Sequence, residues 1–313
     1  MFGRYERLKT PCDVDKRLME DDPSVIFAGG TDLMVKGRER NWYEQHTFLD
    51  IGQIEDLKLL RKEGNWLVIG AGVTLSELIS SPAAQSAAPL LCQAAEHVAS
   101  CQVRNRATLA GNAANACPAS DCIPALLVLG AEAAVRSLKG VREVPLLHLY
   151  RECRACLKHE GMHARTCYFP DPSRKKLYME KGEWIESIRI PIQGPEDRYF
   201  FYKLTKNRSS EMAVINVAIN LKWQQETEGY EALTCVGGMF PKPCLLGGGA
   251  GIRFGTDSTK EAVRAYAENC RREMESVKGL LTGYEYKQRT AGYLIEAGLN
   301  QMLFGIPVEE GEG

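Results

Sequence analysis

The chain has 313 residues, 44% of them apolar and 25% charged, with 39 Lys and Arg against 40 Asp and Glu. At ~150 residues per domain this suggests two domains. The near-zero net charge excludes a nucleic-acid binder or a membrane-surface protein held by bulk electrostatics. The longest apolar run, residues 123–135, contains Pro124, Gly130 and Glu132, and it falls short of the ~20 residues that a transmembrane helix needs. Residues 1–7 carry no apolar stretch of the secretory type, so a cytoplasmic protein is expected. Eleven cysteines are unusual for such a chain. Without an export signal they read as free thiols, metal ligands or redox groups rather than a disulfide framework.

In chain order, residues 1–55 read as a βαβ-like unit. Thr10 and Pro11 have the N-cap and first-position chemistry of a helix start, and Val14 and Leu18 would form its buried stripe. Residues 25–28 are a short apolar run, hence an expected buried strand. That run leads into Ala28-Gly29-Gly30-Thr31-Asp32, followed by a helical pattern and a strand over 47–51. Residues 57–60 and 66–71 read as a hairpin. Thr74 and Glu77 have capping-box spacing. Residues 90–98 and 123–129 read as helices, and 131–137 and 185–190 as strands. From 198 the rhythm changes. Strands are expected over 198–204, 213–223 and 230–236, then amphipathic helices over 259–277 and 284–303, an α+β order. Residues 306–313 form an acidic tail.

Two small-residue loops carry the chemistry. In 28–32, glycine lets backbone N–H groups approach a phosphate, with a helix N-terminus behind them. Two adjacent glycines also make an ordinary tight turn, and the pattern is not the Gly-x-Gly-x-x-Gly dinucleotide fingerprint. The second loop, 108–121, is rich in small and hydrogen-bonding residues. It suits either a two-phosphate cradle or close packing under a helix.

Ala28-Gly29-Gly30-Thr31-Asp32, Gln102-Val103-Arg104-Asn105, Thr108-Leu109-Ala110-Gly111-Asn112 and Ala116-Cys117-Pro118-Ala119-Ser120-Asp121 occur in that order. Tyr202-Lys203-Leu204 and Val214-Ile215-Asn216-Val217-Ala218 follow. In this the chain resembles the FAD-binding medium subunit of the molybdenum hydroxylases, of xanthine dehydrogenase, carbon monoxide dehydrogenase and 4-hydroxybenzoyl-CoA reductase type. The resemblance implies an α+β chain. A p-cresol methylhydroxylase-type FAD domain over 1–195, of subdomains 1–55 and 56–195, would precede a domain of three strands and helices over 198–305. FAD would lie between the two domains. Ala28, Gly29, Gly30, Thr31 and Asp32, flanked by Phe27 and Leu33, would hold the pyrophosphate from one side. Thr108, Gly111, Asn112 and Asn115 would hold it from the other. Ser120 and Asp121 would serve the phosphate and ribose, Val98, Ala99 and residues up to Cys101 would border the ring, and Ile188 completes the set. Lys203 would lie near the isoalloxazine. Three departures stand out: Ala110 where a glycine is usual, Cys117 where Ser is common, and Cys101 where Pro or a small residue is usual. No His lies in the first loop, so a covalent histidyl flavin is not expected.

Residues 151–176 form a Cys-rich insert with Cys153, Cys156, His159, His163 and Cys167. Cys153-x2-Cys156 has the spacing for two thiolates on one metal, with Cys167 as a third candidate ligand. Zinc, an iron–sulfur cluster completed by Cys101, Cys117 or Cys122, a redox-active Cys153–Cys156 disulfide and an exposed loop of free thiols all stay open. A flavin subunit of 4-hydroxybenzoyl-CoA reductase carries a cluster, but on a differently placed insert. Cys12, Cys92 and Cys270 read as core residues, and Cys235 and Cys244 as flanking a turn. Trp42, Trp66, Trp184 and Trp223 read as packing, and Arg104 and Arg106 as solvated charges.

The resemblance implies an electron-transfer flavoprotein subunit. Its partners would be a molybdopterin-containing large subunit and a [2Fe–2S] small subunit, with an acceptor such as NAD. A metal-binding interaction module without flavin and a free-standing FAD oxidoreductase are the alternatives.

Overall fold

The computed structural model describes residues 4–40, 42–150, 177–207, 212–240, 244–247, 253–255, 257–276 and 284–308. These residues form two compact units. The first holds those of Met1–Ala116, Gly130–Arg151 and Asp171–Ile192; the second holds those of Cys117–Leu129 and Gln193–Gly313. The Cys-rich insert, with Cys153, Cys156 and Cys167, lies outside the described residues.

The first unit contains two sheets. β1 (Arg4–Arg7), β2 (Ser24–Phe27) and β3 (Thr47–Asp50) are parallel in the order β1-β3-β2. Only the central β3 is buried along its length. The apolar run of β2, expected to be buried, is an edge strand and half-buried throughout. The helix Pro11–Arg17 starts as expected: the Thr10 hydroxyl accepts from the Asp13 N–H and the Asp13 carboxylate accepts from the Thr10 N–H. Val14 is buried, but Leu18 lies past the helix end and is half-buried.

The second sheet of this unit is antiparallel, in the order β4-β5-β8-β6-β7. Its strands are β4 (Leu60–Glu63), β5 (Trp66–Gly70), β6 (Glu132–Ser137), β7 (Gly140–Pro145) and β8 (Trp184–Pro191). Gly64, at φ +57°, turns the β4–β5 hairpin; only glycine takes such a turn without penalty. Thr74 and Glu77 close a capping box on the helix Leu75–Ser80. Buried Asp15 accepts from the Trp184 indole N–H at 2.8 Å and from Arg136 at 2.9 Å, and Arg136 also reaches Glu186 at 2.9 Å. This network bonds the first helix to β6 and β8.

The second unit is built on a five-stranded sheet of β9 (Arg198–Leu204), β10 (Ile215–Gln224), β11 (Gly229–Gly237), β12 (Cys244–Leu246) and β13 (Arg253–Phe254). The three long strands fall where the sequence placed them; two short strands extend the sheet. Side chains alternate across β10. Ile215, Val217, Ile219 and Leu221 pack into a core with Val263 and Tyr266 of the helix Lys260–Ser276 and with Leu294, Ile295 and Leu299 of the helix Tyr284–Phe304. The opposite face carries Asn216, Ala218 and Asn220. It is covered by the helix Cys122–Val128, buried at every residue. No described helix is long and apolar enough to cross a membrane.

Cys92 and Cys270 are buried, as expected, but Cys12 is exposed. It sits in the first turn of Pro11–Arg17 on the side facing water, where its thiol accepts from Arg136 at 3.5 Å.

Candidate cofactor site

The first glycine loop follows β2 and precedes the helix Leu33–Arg40, whose first turn closes with a bond from the Met34 N–H to the Gly30 carbonyl at 2.9 Å. Gly30 has φ +71°, and a Cβ there would stand 2.3 Å from the Phe27 ring. A Cβ on Gly29 would stand 1.8 Å from the carbonyl oxygen of Arg106. Both positions therefore require glycine. The second has a further consequence: the loop at 28–32 lies directly on the backbone leading into Thr108. Two segments far apart in sequence are thus joined within the first unit.

At Thr108 the helix Leu109–Asn115 begins. The Thr108 hydroxyl accepts from the Gly111 N–H at 3.1 Å, and its carbonyl accepts from the Asn112 N–H at 2.9 Å. The helix start thus engages those two amides, expected to face a phosphate. The amides of Leu109 and Ala110 come before any carbonyl one turn earlier. Ala110 is buried, helical and absent from the positive-φ residues, so its methyl fits at the position where a glycine was expected. The segments leading into these two helices touch at Gly29 and Arg106, and each helix start carries the positive end of its dipole.

Three described non-glycine residues have positive φ, and two of them, Ala99 at 43° and Ala116 at 49°, fall on segments assigned to the cofactor. Such backbone costs of order 1 kcal/mol and persists where the surroundings hold it. At Ala99 the holder is Arg104, whose guanidinium donates to the carbonyls of Val98 at 3.0 Å and Ala99 at 3.2 Å. Arg104 is therefore not the solvated charge expected. Arg106 is exposed and helps to line an open cleft of about 580 Å³, with Tyr5, Phe27, Gly29, Met34 and Phe48. The rings of Tyr5, Phe27 and Phe48 meet edge to face at 6.2 and 6.3 Å. Thr31, Leu33 and Asn115 are half-buried and Asp32 is exposed. Ile188 is apart from these: it is fully buried in central β8, paired with Ile69 and Ala133.

In the second unit, Ser120 and Asp121 precede the helix Cys122–Val128. The Asp121 carboxylate makes no cap bond. One oxygen accepts from Lys203 at 2.7 Å and the other from the Asn216 amide at 3.0 Å. The Lys203 and Asp121 side chains are only 5% and 7% exposed. The lysine expected near the isoalloxazine is half of a compensated ion pair. Asn216 lies in a motif that carries the resemblance, but the sequence reading gives it no role; its signal is an amide in the middle of an apolar strand. Nearby, Lys287 donates to the Gly238 carbonyl at 2.7 Å, and burial together with the charge of Lys206 lowers its pKa.

Cys101 is exposed, Cys117 half-buried and Cys122 buried. Among the described residues no three His, Cys, Asp or Glu side chains gather as a metal site.

These features fit an extended, doubly anionic cofactor: backbone that glycine alone can supply, paired helix starts and strained turns at the segments assigned to it. The family described as the FAD binding domain in molybdopterin dehydrogenase matches residues 5–193. The chain is 29% identical over 277 residues to the carbon monoxide dehydrogenase medium chain of Hydrogenophaga pseudoflava, covering 88% of each. It is 33% identical over 174 residues to the putative xanthine dehydrogenase FAD-binding subunit of Escherichia coli, covering 55% of this chain and 59% of that one. A solved carbon monoxide dehydrogenase of H. pseudoflava, lacking the Mo-pyranopterin moiety, shares the fold with a TM-score of 0.80 at 24% identity, covering 98% of this chain and 99% of that one. The chain belongs to the FAD-binding domain family of the molybdopterin dehydrogenases, and is an oxidoreductase flavoprotein of the molybdenum hydroxylase group.

Proposed function

We propose that the chain is the electron-transferring flavin subunit of a multi-subunit molybdenum hydroxylase. Its partners are a molybdopterin-containing large subunit and a small subunit with [2Fe–2S] clusters. Electrons reach it from those clusters and leave to an acceptor such as NAD, in the cytoplasm. Residues 1–195 form the FAD domain of this reading and 198–305 the C-terminal domain.

The observation that carries the proposal is the seat of Gly29 on the Arg106 carbonyl, which sets the two small-residue loops side by side. Bound FAD supplies the exchange between one- and two-electron steps, and the protein supplies binding, orientation and electrostatics. The amides at 28–32 and at the start of Leu109–Asn115 hold the pyrophosphate. The turn at Val98 and Ala99, fixed by Arg104, borders the ring. The Asp121–Lys203 pair presents an oriented dipole rather than a lone charge.

A cofactor inventory of the native complex tests this. About one FAD per chain, released by acid, together with molybdenum and iron from co-purifying large and small subunits, is expected. A colourless chain holding only zinc overturns the proposal in favour of a metal-binding module. A yellow chain purified alone favours a free-standing FAD oxidoreductase.

A further inference from the structure

Asn216 and Asn220 lie four residues apart on the face of β10 that the helix Cys122–Val128 covers, and both are buried, at 0% and 1% exposure. Asn216 donates to the Ser120 carbonyl and to the Asp121 carboxylate, both at 3.0 Å. Asn220 donates to the Val128 carbonyl at 3.2 Å. Four strand steps span ~13 Å; the six steps of the helix Cys122–Val128 rise ~9 Å, and Ser120 and Asp121 lie just before its start. The spacing of the two amides therefore spans the helix they hold, one amide at each end.

The two ends differ in what they touch. Asn220 donates to the Val128 carbonyl and to the Gln193 side-chain amide oxygen. Asn216 stands in a row across three strands, with Lys203 opposite it on β9 and Gly237 opposite it on β11. A Cβ on Gly237 would stand 2.3 Å from the Asn216 side-chain oxygen. A side chain at Gly237 would therefore displace the amide, whose oxygen faces Gly237 while its nitrogen, held by the bonds to Ser120 and Asp121, faces the carboxylate. Only an amide of this length offers an N–H donor to the two acceptors at once. Aspartate has no donor, serine is too short and glutamine too long.

We propose that Asn216 is a positioning residue for the cofactor. It sets the Asp121 carboxylate against Lys203, and through that pair it sets how tightly the chain holds FAD; Asn220 is an anchor of the same helix with no part in that pair. The proposal rests on the flavin reading above.

The test uses the full chain in its native complex, stripped of FAD and titrated with FAD, alongside thermal melts. Asn216→Leu and Asn220→Leu each remove one buried amide and lower Tm. Asn216→Leu weakens FAD binding about tenfold, the scale of a lost hydrogen bond to a charged group, while Asn220→Leu stays within twofold. Equal weakening by the two overturns the proposal.

Asn216→Asp keeps the shape and sets a second carboxylate against Asp121, so its FAD affinity and Tm fall below wild type most at pH 8. The deficit shrinks towards pH 5 as the paired carboxyls share a proton. Asp121, Lys203, Lys287 and the Cys235 thiol are the titratable groups around this position. Burial pushes the Cys235 thiol upward, and the carboxylate introduced beside Asp121 is the one new titrating group. A deficit that does not change with pH overturns the proposal. If the wild-type chain takes up no FAD at all, the flavin reading falls. The Tm-against-pH profile of the Asn216→Asp apo-chain then decides the Asn216–Asp121 contact by itself.

Discussion

Gly29 shows how much one missing atom can decide. Any Cβ there overlaps the Arg106 carbonyl, so Gly29→Ala must push apart the two loops assigned to the pyrophosphate. Overpacking of this kind costs ~1–3 kcal/mol. The variant is expected to fold with a lowered Tm and to purify with little FAD; full flavin content would reject the role given to this contact. The Asp121–Lys203 pair carries a different energetic signature. Removing one partner of a buried pair strands the other's charge, which costs ~3–5 kcal/mol. Lys203→Met and Asp121→Asn should each destabilise by that order, and the double variant by far less than their sum, as read in denaturant melts. If the pair lies beside the flavin as proposed, Lys203→Met should lower the flavin potential and Asp121→Asn should raise it, because the first would leave a negative charge there and the second a positive one; unchanged potentials would reject that placement. Glycine doublets are legible in a sequence because few other residues tolerate their geometry. The partner of a lysine is not legible, since it is fixed by strand register and by a helix 82 residues away in sequence.

At the scale of elements, polarity and position in the sheet compete, and position wins. Arg4–Arg7 is a strand although it reads Arg-Tyr-Glu-Arg, because an edge strand can turn charged side chains to water. Val25 to Phe27 looks like a buried strand but is the opposite edge, so its apolar side chains stay half-open. Order within a sheet leaves no local trace in sequence, whereas helix starts do: the Thr10 N-cap and the Thr74 capping box were legible from sequence alone. Charge pairs bind this first sheet to its helix. Arg17 donates to Glu6 at 2.8 Å and to Asp22 at 2.5 and 2.7 Å, and Asp22 also accepts from Thr47 at 2.9 Å. The Arg17 guanidinium holds the Asp22 carboxyl well below the usual carboxylate range. A depressed pKa stabilises the folded state above the unfolded value, ~3.9, and this contribution is lost as pH falls below it. Asp22→Asn is therefore expected to lower Tm at pH 7 and to converge on wild type towards pH 2. A difference that persists unchanged at acid pH would reject the pairing as its source.

At the scale of the whole molecule, the eleven cysteines are one population in the sequence and several in the structure. Cys12 and Cys101 are exposed, Cys117 and Cys244 half-buried, and Cys92, Cys122, Cys235 and Cys270 buried. Burial pushes the Cys92 thiol up to about 11 and the Cys270 thiol up to about 12. The thiolate is the reactive form, so access and protonation act together on these two. Timed maleimide labelling of the native protein, read by peptide mass spectrometry, should modify Cys12 and Cys101 first. Cys92, Cys122, Cys235 and Cys270 should react only after unfolding. Early modification of Cys235 or Cys270 would contradict the packing of the second unit. The same experiment decides the insert. Free Cys153, Cys156 and Cys167 would label in the native protein at the rate of Cys12. Ligands of zinc or of an iron–sulfur cluster would be protected together and released together by a chelator or by oxidation of the cluster. Synchronous release is what separates a shared metal from three thiols that are each merely covered, because only the metal ties their reactivities to one event.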